Sequence, residues 1–262
     1  MLTRRGLLMG AAHLAVVGVL AACRARPLDG LSGSGRGDGA ILSARPGPPP
    51  SSPPAGPLSH PGTHPLGLAD VQDALLHVPS TVVAGVPAPL VLTLHGAGGD
   101  AAGALALLGA MAEERGMLLL APASRGTTWD AVRGTYGTDA RLIDRALSDV
   151  VSLTAVDPGR IAVAGFSDGA TYALGLGLAN GTLFRKIVAF SPGFVPPGTP
   201  RRGKPPVFIS HGKADDVLPI DRTSRVIVPD LRHDGYDVTY REFSGPHTVP
   251  PDIAQEAMDW LG

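Results

Sequence analysis

The chain has 262 residues, with 22 Lys and Arg against 23 Asp and Glu, a formal net charge of −1. A balance this close to zero gives neither the electrostatic footprint of a nucleic-acid binder nor a polybasic surface for membranes, so neither kind of contact is expected from charge. The 35 Gly and 26 Pro are too many for one evenly built domain, and they are partly concentrated toward the N-terminus.

In chain order, residues 1–22 have the anatomy of a signal peptide. Thr3, Arg4 and Arg5 precede an apolar stretch from Leu7 to Ala22 that contains no carboxylate. That stretch is about 16 residues, short of the roughly 20 a spanning helix needs, which favours removal after export over a permanent transmembrane segment. The paired arginines resemble a twin-arginine export signal. Leu20-Ala21-Ala22-Cys23 resembles the bacterial lipobox, which implies diacylglycerol on Cys23, cleavage before it, and a membrane-anchored lipoprotein on the periplasmic or extracellular side. Cys23 is the only cysteine, so it has no partner within the chain for a disulfide.

Residues 23–67 are rich in Pro, Gly and Ser without apolar periodicity, and read as a spacer that buries no core. His60 and His64 fall within it and are expected to be solvated. From residue 68 to 262 short apolar runs alternate with amphipathic stretches, the pattern of an α/β domain built on a mostly parallel sheet with helices on both faces. Strands are predicted at 74–78, 90–94, 117–121, 161–164, 186–190, 207–210 and 238–243. Helices are predicted at 101–115, 139–156, 169–180, 220–233 and 251–261.

The chemistry is concentrated at the ends of those strands. Gly165-Phe166-Ser167-Asp168-Gly169 is a G-x-S-x-G sequence set between a predicted strand and a predicted helix. A turn tight enough to expose the serine hydroxyl crowds the backbone on both sides, which is why Gly is required at either end. The helix that follows aims its N-terminal N–H groups at the same place, where they can stabilise charge on a carbonyl oxygen under attack. A serine hydroxyl needs a base to take its proton, and the base needs a carboxylate to orient it. When the serine occupies such a turn the chain order is serine, acid, histidine. Asp215, in the loop after the strand at 207–210, is the expected acid, with Asp216 as its rival. Of eight histidines, only His247 follows the last predicted strand, and it is the expected base. His95 and His211 each precede Gly at a strand end and are expected to brace their loops, while His233 is expected at an exposed helix end. His95-Gly96-Ala97-Gly98-Gly99 can turn N–H groups inward, so the main-chain N–H groups of Ala97 and Asp168 are the expected oxyanion donors. The Gly-Lys-Ser/Thr of a phosphate-binding loop and the G-x-G-x-x-G dinucleotide pattern are both missing.

The segments "LHGAGGDA", "GFSDGA", "HGKADDVLP" and "GPHTVPPDIAQEAMDWL" together resemble the phospholipase/carboxylesterase branch of the α/β-hydrolases, with kinship to dienelactone hydrolases and polyhydroxyalkanoate depolymerase-like esterases. The resemblance covers about residues 68–262. It implies an α/β-hydrolase fold, Ser167, Asp215 and His247 as catalytic residues, and cleavage of short acyl esters, lysophospholipids or thioesters through an acyl-enzyme, with no metal or organic cofactor. Many members carry Gln after the nucleophile where this chain has Asp168. The join of about 16 residues between the strands near Phe190 and Val207 is too short for a large lid, so the site is expected to be open, with Trp129, Phe166 and Phe194 as candidate lining. A non-catalytic envelope lipoprotein on the same scaffold, a peptidase and an acyltransferase are the competing readings.

Overall fold

The computed structural model describes residues 38–47, 60–70 and 72–262. The predicted signal segment, Cys23 and most of the predicted spacer lie outside the described residues.

Eight strands form one sheet: β1 (Gly62–Pro65), β2 (Leu75–Val78), β3 (Ala88–Leu94), β4 (Leu118–Ala121), β5 (Val156–Phe166), β6 (Lys186–Phe190), β7 (Val207–Gly212) and β8 (Val238–Phe243). Their order is β1-β2-β4-β3-β5-β6-β7-β8. The pairs β1–β2 and β2–β4 are antiparallel, and all others are parallel. This is the mostly parallel α/β-hydrolase sheet that the sequence motifs imply.

Alternation along the central strands divides the core in two. Leu90, Leu92, Ile161, Val163, Ile187 and Ile209 point to one face and pack with α2 (Thr138–Leu153), α3 (Asp168–Ala179) and α4 (Ser224–His233). Val91, Leu119, Ala162, Ala164, Val188 and Phe208 point to the other, against α1 (Ala101–Arg115) and α5 (Pro251–Leu261). Successive side chains of a strand face opposite ways, so a continuous apolar run is the pattern a sheet covered on both faces requires. Local signals set the helix ends: the Asp100 carboxylate accepts from Gly103 N at 2.7 Å to open α1, and Gly116 closes it with φ 63°.

Apart from shifts in element ends, the largest being β5, which starts at Val156 inside the expected helix 139–156, three parts of the structure differ from the sequence reading. The segment 39–47 is not free spacer: Ala40, Leu42 and Ala44 are buried in the core on the α2–α4 face. Asn180 holds this segment by accepting from Leu42 N and donating to Ala40 O, at 2.9 and 2.7 Å. The Asp144 carboxylate accepts from Ser43 N and Ala44 N, at 2.7 and 2.8 Å. Side chains remote in sequence supply these partners, so no local pattern announces the segment. The second difference is β1, in which His64 sits on an edge strand instead of in a spacer; its residues alternate between exposed and half-buried, and it is held by backbone pairing with β2. Third, the helix predicted at 220–233 begins as a single 3-10 turn, Ile220–Arg222, and restarts as α4 after Thr223, whose ψ of −101° breaks the regular path.

Candidate active site

Ser167 stands at the end of β5, directly before α3, in a backbone conformation that L-residues rarely adopt (φ 57°, ψ −120°). Such a residue costs about 1–3 kcal/mol and persists only where its surroundings hold it. Here Ser167 N donates to Phe190 O at 2.9 Å, and Ser167 O accepts from Thr171 N at 3.0 Å. The glycines either side are sterically compulsory. A Cβ on Gly165 would lie 2.3 Å from Gly169 O, and one on Gly169 would lie 2.2 Å from Leu94 O and 2.5 Å from His95 O. All of these obstacles are backbone, so Gly169→Ala is expected to destabilise the fold by about 3–5 kcal/mol, read as a fall in the denaturant midpoint.

The structure brings together the three side chains expected to act in concert. His247 Nε2 lies 2.8 Å from Ser167 Oγ, and His247 Nδ1 lies 2.6 Å from Asp215 Oδ2. The imidazole packs on Phe166, with ring centroids 4.8 Å apart. Asp215 is almost fully buried and Asp216 is exposed, which separates the two candidate acids. The remaining acceptor capacity of Asp215 is also used: Oδ1 accepts from Val217 N and Leu218 N at 3.0 and 2.7 Å, and Oδ2 has His211 Nε2 at 3.2 Å. Burial alone would raise the Asp215 pKa, but the Leu218 N–H and His247 outweigh it and hold the carboxyl below its usual range. The carboxylate therefore keeps its charge as pH falls, until its lowered folded-state pKa is crossed.

His211 and His95 have bracing positions, as their sequence setting suggests. His211 is completely buried, with Nδ1 2.7 Å from Ser224 Oγ and Nε2 2.8 Å from Leu218 O; desolvation lowers its pKa and favours the neutral ring. Its contact with Asp215 could not be anticipated from sequence, because it depends on how the loop after β7 folds back. His95 Nδ1 donates to Gly96 O at 2.7 Å and Nε2 accepts from Ser124 N at 3.0 Å, an arrangement suited to the neutral ring that desolvation also favours. With Gly98 N donating to Thr127 O at 2.7 Å, His95 ties the glycine-rich loop after β3 to the loop after β4. The main-chain N–H groups of Ala97, in that loop, and of Asp168, first in α3, have no acceptor among the described residues. The Asp168 side chain accepts from Thr128 Oγ1 at 2.6 Å. Thr128 carried no motif and is a partner that sequence reasoning missed. Of the candidate lining residues, Trp129 is core, its indole N–H donating to His95 O at 2.8 Å. Phe166 is half-buried beside His247, and Phe194 is exposed. His233 is exposed at the end of α4.

Residues 131–260 match the phospholipase/carboxylesterase family. Among solved structures, esterase PE8 is 26% identical with a TM-score of 0.59, over 71% of this chain and 95% of that one. The Thermus thermophilus protein TT1662 is 25% identical with a TM-score of 0.57, over 77% of this chain and 97% of that one. The Bacillus cereus carboxylesterase shares the fold at 16% identity and a TM-score of 0.58, over 73% of this chain and 94% of that one. No curated protein matches the chain. By this family match, the esterase neighbours and the eight-stranded sheet, the chain is an α/β-hydrolase and a carboxylic ester hydrolase.

Proposed function

We propose that the chain hydrolyses carboxylic esters of small acyl groups through an acyl-enzyme on Ser167, with His247 as base and Asp215 as the carboxylate that orients it. The observation that carries this reading is the unbroken contact from Ser167 Oγ through His247 to Asp215, at 2.8 and 2.6 Å. His247 Nε2 takes the Ser167 proton as Oγ attacks the ester carbon, and the carbonyl oxygen gains the electron pair between the N–H groups of Ala97 and Asp168. The protonated imidazole then gives its proton to the departing alkoxide. Water, deprotonated by the same Nε2, attacks the acyl carbon, and Ser167 leaves with the proton restored. Asp215 stays ionised throughout and stabilises the imidazolium. The complete relay favours an enzyme over a scaffold kept only for binding.

Residues 191–206, between β6 and β7, contain no helix or strand that could act as a large lid, which supports an open site and short acyl groups. For the N-terminus, Arg4-Arg5, the apolar stretch to Ala22 and Leu20-Ala21-Ala22-Cys23 support an exported protein carried on lipid at Cys23. The catalytic reading is tested with a fluorophosphonate probe followed by peptide mapping, alongside a p-nitrophenyl ester series of increasing chain length. A label on the Ser167 peptide and a kcat/KM that falls beyond short acyl chains are expected. Absence of label, or a label elsewhere, overturns it.

A further inference from the structure

Three consecutive residues in the loop after β4 each hold a different part of the backbone around the nucleophile. Thr127 O accepts from Gly98 N at 2.7 Å, Thr128 Oγ1 donates to Asp168 Oδ2 at 2.6 Å, and the buried Trp129 donates its indole N–H to His95 O at 2.8 Å. The rings of His95 and Trp129 are 4.7 Å apart. His95 and Gly98 flank Ala97, and Asp168 follows Ser167, so one loop is tied to both stretches that carry the expected oxyanion donors. The ties from Thr127 and Trp129 are to main-chain groups. Thr128 alone engages a carboxylate.

That carboxylate stands where many similar sequences have Gln, and it sits in the first turn of α3. An Asp at the start of a helix readily accepts from nearby main-chain N–H groups. Two such groups, of Ala97 and of Asp168 itself, have no acceptor among the described residues. One is joined to the carboxylate through the same Cα. The other belongs to a loop packed on the nucleophile, since a Cβ on Gly96 would lie 3.3 Å from Ser167 Cβ. A carboxylate turned onto either group would take the place of the ester carbonyl oxygen and set a negative charge where another must develop. The Thr128 hydroxyl engages one carboxylate oxygen and so fixes the direction of the side chain. On its far side Thr128 borders a polar hollow in which Arg125 and Arg133 stand with Asp130 and Asp139. The two signs are matched there, so the loop holds Asp168 by a hydrogen bond and brings no surplus of positive charge.

Building on the esterase reading, we infer that Thr128 is a positioning residue of the oxyanion site: its hydroxyl holds the Asp168 carboxylate on the loop after β4 and keeps the N–H groups of Ala97 and Asp168 open to the ester carbonyl oxygen. It follows that losing the hydroxyl harms catalysis more than losing the carboxylate it restrains.

The test follows p-nitrophenyl acetate hydrolysis, with kcat expressed per site titrated by a fluorophosphonate probe, so that unfolded protein does not count. Thr128→Val, which keeps the side chain's shape and removes its donor, is expected to lower kcat by about 10- to 100-fold, somewhat less than outright loss of an oxyanion donor, with KM within about threefold of the parent. Thr128→Ser is expected to recover most of the loss. Asp168→Ala, which keeps the main-chain N–H and removes the competing acceptor, is expected to cost about threefold, and the double variant to match it, a non-additive cycle. The Ki of a trifluoromethyl ketone, whose adduct on Ser167 carries the oxyanion, should rise in Thr128→Val by about the factor lost from kcat. A Thr128→Val kcat within twofold of the parent, equal losses in the Val and Ser variants, a loss carried by KM, or an Asp168→Ala or double variant as impaired as Thr128→Val overturns the positioning role and leaves the esterase reading intact. Absence of Ser167-dependent hydrolysis in the parent overturns the esterase reading, and the positioning role with it.

Discussion

Ser167→Ala is expected to lower kcat for p-nitrophenyl acetate by about 10⁴- to 10⁶-fold, with KM changed far less. Removing the nucleophile of a serine relay eliminates the covalent route, and what survives comes from oxyanion stabilisation and binding alone. The substitution deletes one oxygen whose hydrogen-bond partner among the described residues is His247 Nε2. The backbone bonds Ser167 N to Phe190 O and Thr171 N to Ser167 O are independent of that oxygen, so folding is expected to persist. A thermal melt within a few degrees of the parent, together with lost burst-phase p-nitrophenol release, is the paired measurement. Activity within tenfold of the parent would remove Ser167 from the mechanism.

Asp215→Asn should be the second-largest loss, about 10³- to 10⁴-fold in kcat, because an amide can present its NH₂ to His247 Nδ1 and stabilise the wrong tautomer. The change also touches His211, whose Nε2 lies 3.2 Å from the same carboxylate oxygen, so a modest loss of stability should accompany it. Asp216→Asn is the control: Asp216 is exposed one position along the same loop, and activity within about twofold of the parent is expected, since surface changes away from such features have small effects. The kcat ratio of the two variants assigns the acid. Comparable losses in both would mean that the loop after β7, rather than one carboxylate, is what catalysis needs.

The order of strands and helices was largely legible because a sheet covered on both faces demands continuous apolar runs. The ends of α1, β6, β8 and α5 fall where the residues alone place them. Strand β1 was not legible: Gly62-Thr63-His64-Pro65 carries no apolar alternation, and its stability comes from backbone pairing at a sheet edge. Nor was the burial of Leu42, which depends on Asn180, a residue at the far end of α3.

Sequence by itself determined the serine turn, since a glycine on either side of Ser167 between a strand and a helix has a local steric cause that any reader of the chain can state. It also determined that His247 was the only histidine beyond the last strand. Tertiary structure alone decided between Asp215 and Asp216, because adjacent carboxylates in one loop differ only in which turns inward to meet Leu218 N, His211 and His247. It likewise decided that Asp168 is bonded to Thr128 beside a polar hollow. Hydrogen bonds between loops that follow different strands depend on the sheet order that sets those loops side by side, and the order of strands in space is not their order in the chain.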